Sequence, residues 1–273
     1  MAFILAKFVL QYTLISPEYD LQRDEYLHLD QANHLAWGYI SVPPVTSWIS
    51  VLIAYLGNSV FWVKFFPALF GALTMVVVWK AIESLKGNLA ALILGANCLL
   101  FSALLRLNIL YQPNSLDVLS WTSLYFVIIR YLQTNKPKWL YAAALIFAIG
   151  FLNKYNIIFL LLGLFPAVLI SEHRKVLVQK HFFLAIILAF LLILPNLIWQ
   201  LTNDFPVIRH LRQLADTQLI HVNRWDFLKS QLFFFVGALF VILAALYALL
   251  FNPEFRKYRF FFFVLVFTLA VFT

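Results

Sequence analysis

A chain of 273 residues, 63% hydrophobic and only 12% charged, has too little polar surface to cover a water-soluble core of that length. Its mean hydropathy of +0.87 points to the membrane. The formal net charge of +8 does not mark a nucleic-acid binder, because the cations are scattered among apolar runs and form no stripe. A lone cysteine, Cys98, excludes an intrachain disulfide and reads as a small buried residue. The eight Trp and twelve Tyr suit a chain anchored at two membrane–water interfaces.

A spanning helix needs about 20 mostly apolar residues. In chain order, apolar runs predict spans near 1–15, 59–79, 88–105, 116–133, 138–152, 155–170, 182–199, 231–251 and 260–273. The first run has no charged leader and no small-residue cleavage site after it, so it reads as an anchor rather than a signal peptide. The last reaches Thr273 without a flank, as in a domain truncated at its C-terminus.

With the N-terminus in the cytoplasm, the short cytoplasmic connections carry Lys80 and Lys86; Arg130, Lys136 and Lys138; Arg174, Lys175 and Lys180; and Arg256, Lys257 and Arg259. That agrees with the positive-inside rule. The opposite side receives Glu18, Asp20, Asp24, Glu25, Asp30, Asp117, Asp204, Asp216 and Asp226. Acidic residues do not set topology, so this second asymmetry points to an outward-facing site. Two outer segments are long, 16–58 and 200–230, and long loops are where function usually sits.

The first outer loop carries Arg23-Asp24-Glu25-Tyr26, then Leu35-Ala36-Trp37-Gly38-Tyr39, then Pro43-Pro44. Residues 24–36 contain no Gly or Pro and predict a helix with Asp24, His28 and Gln31 on one face. Gly38 stops it, and the proline pair opens another. Residues 45–56 predict an amphipathic surface helix whose lipid side is Trp48, Ile49, Leu52 and Ile53. The Asp24–Glu25 pair above the membrane suits a general base or a cation ligand; it equally suits a solvated helix start favoured by the helix dipole.

These residues resemble the first outer loop of the GT-C glycosyltransferases. The resemblance is to the branch related to dolichyl-phosphate-mannose protein mannosyltransferases and bacterial aminoarabinose transferases. Later segments agree in order: Tyr111-Gln112-Pro113-Asn114-Ser115-Leu116-Asp117, then Gly150-Phe151-Leu152-Asn153-Lys154-Tyr155, then Pro195-Asn196-Leu197-Ile198-Trp199-Gln200 followed by Pro206 and His210. The resemblance implies a polytopic all-helical membrane bundle of the GT-C kind, with surface helices in the first outer loop and residues 1–273 forming its catalytic domain.

It further implies an inverting transferase that moves a sugar from a polyprenyl-phosphate donor to a glycan, lipid or protein acceptor outside the cytoplasm. Asp24 matches the catalytic base and Glu25 its partner. Lys154, Arg106, Arg209 and His210 are the candidates for the donor phosphate. Asp117, Tyr39 and Gln112 are the candidates for the donor pocket. For each cation the alternative is snorkelling to the interface, and Asp117 alternatively pairs with Arg106 or Lys154.

No cofactor is demanded, and a divalent cation at the acidic pair stays open. His28 and His34 are six residues apart without cysteines, which disfavours zinc. No Gly-rich phosphate loop suggests a nucleotide-sugar donor. Ser41-Val42 stands where many relatives have a charged pair before Pro-Pro. The rival class is a secondary transporter or lipid flippase, which would place charges at the midplane and show symmetric halves. Here the mid-span exception is Lys7, with Lys64 near a span's outer end. The compact chain without organelle signals points to a prokaryotic inner membrane.

Overall fold

A computed structural model describes residues 1–15 and 21–272. The start of the first outer loop, with Glu18 and Asp20, lies outside the described residues, as does Thr273.

The described chain is helical throughout. It runs α1 (Ala2–Thr13), α2 (Arg23–Asp30), α3 (Val45–Tyr55), α4 (Val60–Ser84), α5 (Leu89–Leu100), α6 (Leu104–Leu107) and α7 (Asn114–Thr134). It continues through α8 (Lys138–Asn153), α9 (Ile157–Ile170), α10 (Lys180–Thr202), α11 (Pro206–Thr217), α12 (Arg224–Phe234), α13 (Leu239–Phe251) and α14 (Phe260–Phe272). Local signals set several boundaries. The Asn88 side chain accepts from the Ala91 amide at 2.9 Å and starts α5. Asn135 takes a left-handed conformation (φ 51°) and stops α7. Pro206 occupies the first turn of α11, where its missing N–H costs nothing.

Helices α4, α7, α8 and α10 pack one on the next, and α9 pairs with α14 beside them. Their shared core includes Leu116 and Leu124 of α7, Ala148 and Phe151 of α8, Ile157 and Leu160 of α9, and Val264 of α14. Gly163 permits the α9–α14 contact: a Cβ there would collide with the Thr268 hydroxyl and lie 2.9 Å from the Val264 carbonyl.

Helices α4 and α10 are each long and apolar enough to cross a membrane alone. Among the described residues, up to four spans are reached if each bent pair counts as one: α9 with the 172–178 turn (112°), and α12 with 236–251 (62°). The apolar helices α1, α5, α8 and α14 have 12, 12, 16 and 13 residues. The run 88–105, read as one span, breaks after Leu100 into a turn and α6. The run 231–251 is likewise divided at Phe235. Composition alone is blind to these breaks because every residue across them is apolar or small. Cys98 is half-buried rather than fully buried.

The first-loop helix stops at Asp30, continues as a short 3-10 turn through Asn33, and ends before Gly38 rather than at it. Helix α3 forms as expected, with Trp48 and Leu52 exposed. Ile53 is instead completely buried, against Val63, Phe66 and Tyr111. The face that α3 turns inward also carries Val45 and three hydroxyls: Thr46, Ser47 and Ser50 are buried while Trp48, Val51, Leu52 and Tyr55 are exposed.

Lys7 is buried in α1. Its ammonium donates to Gln11 Oε1 (3.2 Å) and Asn108 Oδ1 (2.9 Å). Gly71 makes room for that contact.

Candidate functional site

The four motif segments, far apart in sequence, meet at one end of the bundle. Helix α2 presents Asp24 and Glu25 in its first turn, where carboxylates favour the helix dipole. From there the two side chains diverge.

Glu25 points inward and is fully buried. Both its oxygens receive Lys64 Nζ of α4 at 2.7 Å. Oε1 also accepts the Tyr111 amide (2.7 Å), and Oε2 accepts the Gln22 amide (2.8 Å) as half of a capping box. Four hydrogen bonds from three donor groups on two oxygens leave Glu25 no lone pair directed at a substrate. It ties α2, α4 and the turn before α7 together, a positioning residue rather than an open carboxylate.

Asp24 points outward, with its side chain 45% exposed. Oδ2 accepts from Gln112 Nε2 at 3.1 Å, and Oδ1 faces Arg23 Nε at 3.3 Å. Gln112 Oε1 accepts from Asn114 Nδ2 (3.0 Å), and Asn114 Oδ1 accepts from Lys154 Nζ (2.6 Å). Asp24 and Lys154, from segments 130 positions apart in the chain, are therefore joined by two amide side chains.

Asp117 lies one turn into α7, nearly buried. It accepts from Trp121 Nε1 (3.1 Å) and from Asn156 Nδ2 (2.9 Å). Neither Arg106 nor Lys154 forms an ion pair with it among the described residues. Asn156 belongs to the turn that also carries Lys154, so Asp117 fixes that turn to α7. Asn153 adds a second tie, donating to the Pro113 carbonyl at 2.8 Å.

The fourth segment closes the site from α10. Asn196, fully buried, donates to the Trp37 carbonyl (2.6 Å) and accepts from Tyr155 Oη (3.0 Å), which accepts from Gln200 Nε2 (2.8 Å). Gly38 lets the first loop approach this closely, since a Cβ there would strike the Trp199 ring. These orientations are forced, because a carbonyl can only accept. They leave Gln200 Oε1, with Asn153 Oδ1 and Asn156 Oδ1, as buried acceptors without a protein donor.

The other expected residues sit differently. The Tyr39 hydroxyl lies 3.1 Å from the Gln31 carbonyl and 3.0 Å from the His34 carbonyl, with one proton to give to either, which closes the first loop on itself. Arg106 is exposed on α6. Arg209 donates to the Asn203 carbonyl at 3.0 Å, and His210 is half-buried on α11. No hydrogen bond or ion pair among the described residues joins Arg106, Arg209 or His210 to Asp24 or Lys154. Ser41 is exposed, and Val42 is buried with its carbonyl accepting from the Tyr39 amide (3.0 Å), so this position serves the turn here. Among the described residues no three His, Cys, Asp or Glu side chains converge as a metal site.

Residues that the sequence marked without giving them a role prove central: Lys64, Asn114, Asn196 and Tyr111. Lys64 had a signal, a lone cation near the outer end of an apolar run. Tyr111 supports α3 from below: its hydroxyl lies 2.8 Å from both the Thr46 carbonyl and Ser50 Oγ, and burial raises its pKa. His28 sits edge-on to the Tyr111 ring with Nδ1 3.3 Å from Gln31 Oε1. Burial lowers its pKa, opposed by the Gln31 hydrogen bond and the charges of Asp24 and Glu25.

Fold and site together define a polytopic helical membrane protein with a polar, carboxylate-bearing cluster at one end of its bundle. The chain belongs to the dolichyl-phosphate-mannose-protein mannosyltransferase family, which it matches over residues 41–199. That span contains Gln112, Asn114, Asp117 and Lys154; Asp24, Arg209 and His210 lie outside it. The chain is also similar to the lipid A galacturonosyltransferase RgtD of Rhizobium johnstonii, 23% identical over 207 residues. The similarity covers 71% of this chain and 43% of the relative, so the chain spans less than half of the relative's length. No solved structure matches it.

Proposed function

We propose that this chain forms the catalytic end of an inverting glycosyltransferase that moves a sugar from a polyprenyl-phosphate donor to a hydroxyl-bearing acceptor on the extracytoplasmic side of a bacterial inner membrane. The family match supports transferase chemistry, and the similarity to a lipid A galacturonosyltransferase favours a glycolipid acceptor over a protein.

The observation that carries the reading is the division of labour within the acidic pair. Glu25 is consumed by four hydrogen bonds, whereas Asp24 is open to solvent and aimed by Gln112. Asp24 takes the proton of the acceptor hydroxyl. The acceptor oxygen attacks the anomeric carbon in line, the bond from that carbon to the phosphate oxygen breaks, and the lipid phosphate leaves with its electron pair. Configuration inverts. Lipid phosphate is a good leaving group, so cationic stabilisation matters more than a general acid. Lys154 supplies that charge, with Asp117 holding its turn in place. The buried acceptor oxygens of Asn153, Asn156 and Gln200 suit a ligand rich in hydroxyl donors.

The test is transfer from radiolabelled polyprenyl-phosphate sugars in membranes containing the full-length natural protein or its Asp24→Asn variant at matched expression. Loss of a general base predicts a fall of about 100-fold or more. Equal transfer by both proteins refutes Asp24 as the base.

A further inference from the structure

The chain from Lys154 through Asn114 and Gln112 to Asp24 has a property that none of its members has alone. A lysine ammonium can only donate, and an ionised carboxylate can only accept. With those ends fixed, both amides have a single allowed orientation. Asn114 must turn Oδ1 to Lys154 and Nδ2 to Gln112, and Gln112 must turn Nε2 to Asp24, as the distances of 2.6, 3.0 and 3.1 Å record. Each amide holds the next in register, and charge at one end polarises the donors along the row.

We propose that Asn114 is a positioning residue that serves both halves of the reaction: it holds Lys154 ready for an anionic lipid phosphate and, through Gln112, orients Asp24 toward the acceptor hydroxyl. This rests on the glycosyltransferase reading above. Asn114 begins α7, anchored through the buried Ser115 and Asp117 that follow it. It is therefore a helix-mounted amide between a cationic side chain on one side and a half-exposed carboxylate on the other. When the donor phosphate arrives, the ammonium has a stronger, charged acceptor available and shares or leaves the Asn114 oxygen. The amide row then tells the acceptor side that the donor is seated. Gln112 acts on one end alone.

Those roles predict separable kinetics in purified, bilayer-reconstituted full-length protein. Gln112→Leu lowers kcat about 10-fold with donor KM unchanged, because only Asp24 loses its guide. Asn114→Ala lowers kcat by a similar factor and raises donor KM several-fold. Asn114→Ser, which keeps one donor and one acceptor, recovers part of both. The Gln112→Leu/Asn114→Ala double variant has the kcat of the Gln112 single variant, about 10-fold down rather than about 100-fold, because Asn114 reaches Asp24 only through Gln112. Binding of bare polyprenyl phosphate, followed without turnover by the rise in thermal unfolding temperature, weakens in Asn114→Ala and is unchanged in Gln112→Leu.

Additive losses in the double variant, or weakened phosphate binding in Gln112→Leu, would overturn the proposal. So would normal kcat and donor KM in Asn114→Ala. Asp24→Asn run alongside separates the two levels. If it transfers normally, the reading of the site fails and this inference with it. If it is inactive while the amide variants behave additively, only the inference fails.

Discussion

Adjacent carboxylates in one helical turn reach opposite fates here because their side chains leave α2 in different directions. Glu25 enters the bundle, and its desolvation is offset by Lys64 and two backbone amides. Such a pair is costly to break from one side. Lys64→Met strands a buried carboxylate and is expected to destabilise the protein by about 3–5 kcal/mol, read as a lower unfolding temperature in detergent. An unchanged temperature would mean that the pair is not buried as described.

His28 gives a pH dependence whose sign follows from its lowered pKa. The unfolded chain binds a proton near the ordinary value of about 6.5, and the folded chain binds it only at lower pH. Stability is therefore full above about pH 6.5 and falls as pH drops toward the folded value. His28→Gln should flatten this acid-side loss in unfolding curves measured from pH 7.5 down to pH 5.

At the scale of elements, helix α3 inverts the usual arrangement. It buries hydroxyls and exposes Trp48, Val51, Leu52 and Tyr55, an arrangement suited to a helix lying in the headgroup layer. The helix itself is legible from the run 45–56, whereas Ile53, expected on its lipid side, lies in the core. The apolar character of α3 continues around both faces at that point, so periodicity could not separate lipid from protein. What decides the matter is the partner across the interface, Val63 and Phe66 of α4, which local spacing does not contain.

The α9–α14 pair makes the same point through a glycine. Gly163→Ala places a methyl against the Val264 backbone and the Thr268 hydroxyl. Because backbone cannot yield as a side-chain tip can, a loss of about 1–3 kcal/mol in unfolding free energy is expected. A neutral result would show that the two helices are packed less closely.

For the whole molecule, polar residues gather at two ends. One end holds the site. The other is stapled by Gln133 to the Ser84 carbonyl (2.8 Å), Tyr131 to Gln179 (2.8 Å) and His173 to the Lys257 carbonyl (2.7 Å), among the cations expected to face the cytoplasm. The four motif segments were readable from residue type and order, and so was their shared end, because span counting places their turns on one side. Their joints were not. Lys64 meets Glu25 across 39 positions, and Gln112 meets Asp24 across 88. No local period encodes contacts of that length; only the packing of α4 and α7 brings them together. Sidedness is testable directly. In a Cys98→Ala background, His34→Cys should react with a membrane-impermeant maleimide in intact cells. Lys136→Cys should react only after permeabilisation, and the reverse pattern would invert the orientation.

Because the two carboxylates do different work, the most direct measurement pairs Asp24→Asn with Glu25→Gln. Transfer from a labelled polyprenyl-phosphate sugar and unfolding temperature are measured on the same purified full-length preparations. The account predicts that Asp24→Asn loses about 100-fold or more of transfer with its unfolding temperature kept, whereas Glu25→Gln lowers the unfolding temperature. Full transfer by Asp24→Asn, or an undiminished unfolding temperature in a Glu25→Gln protein that has lost transfer, would contradict it.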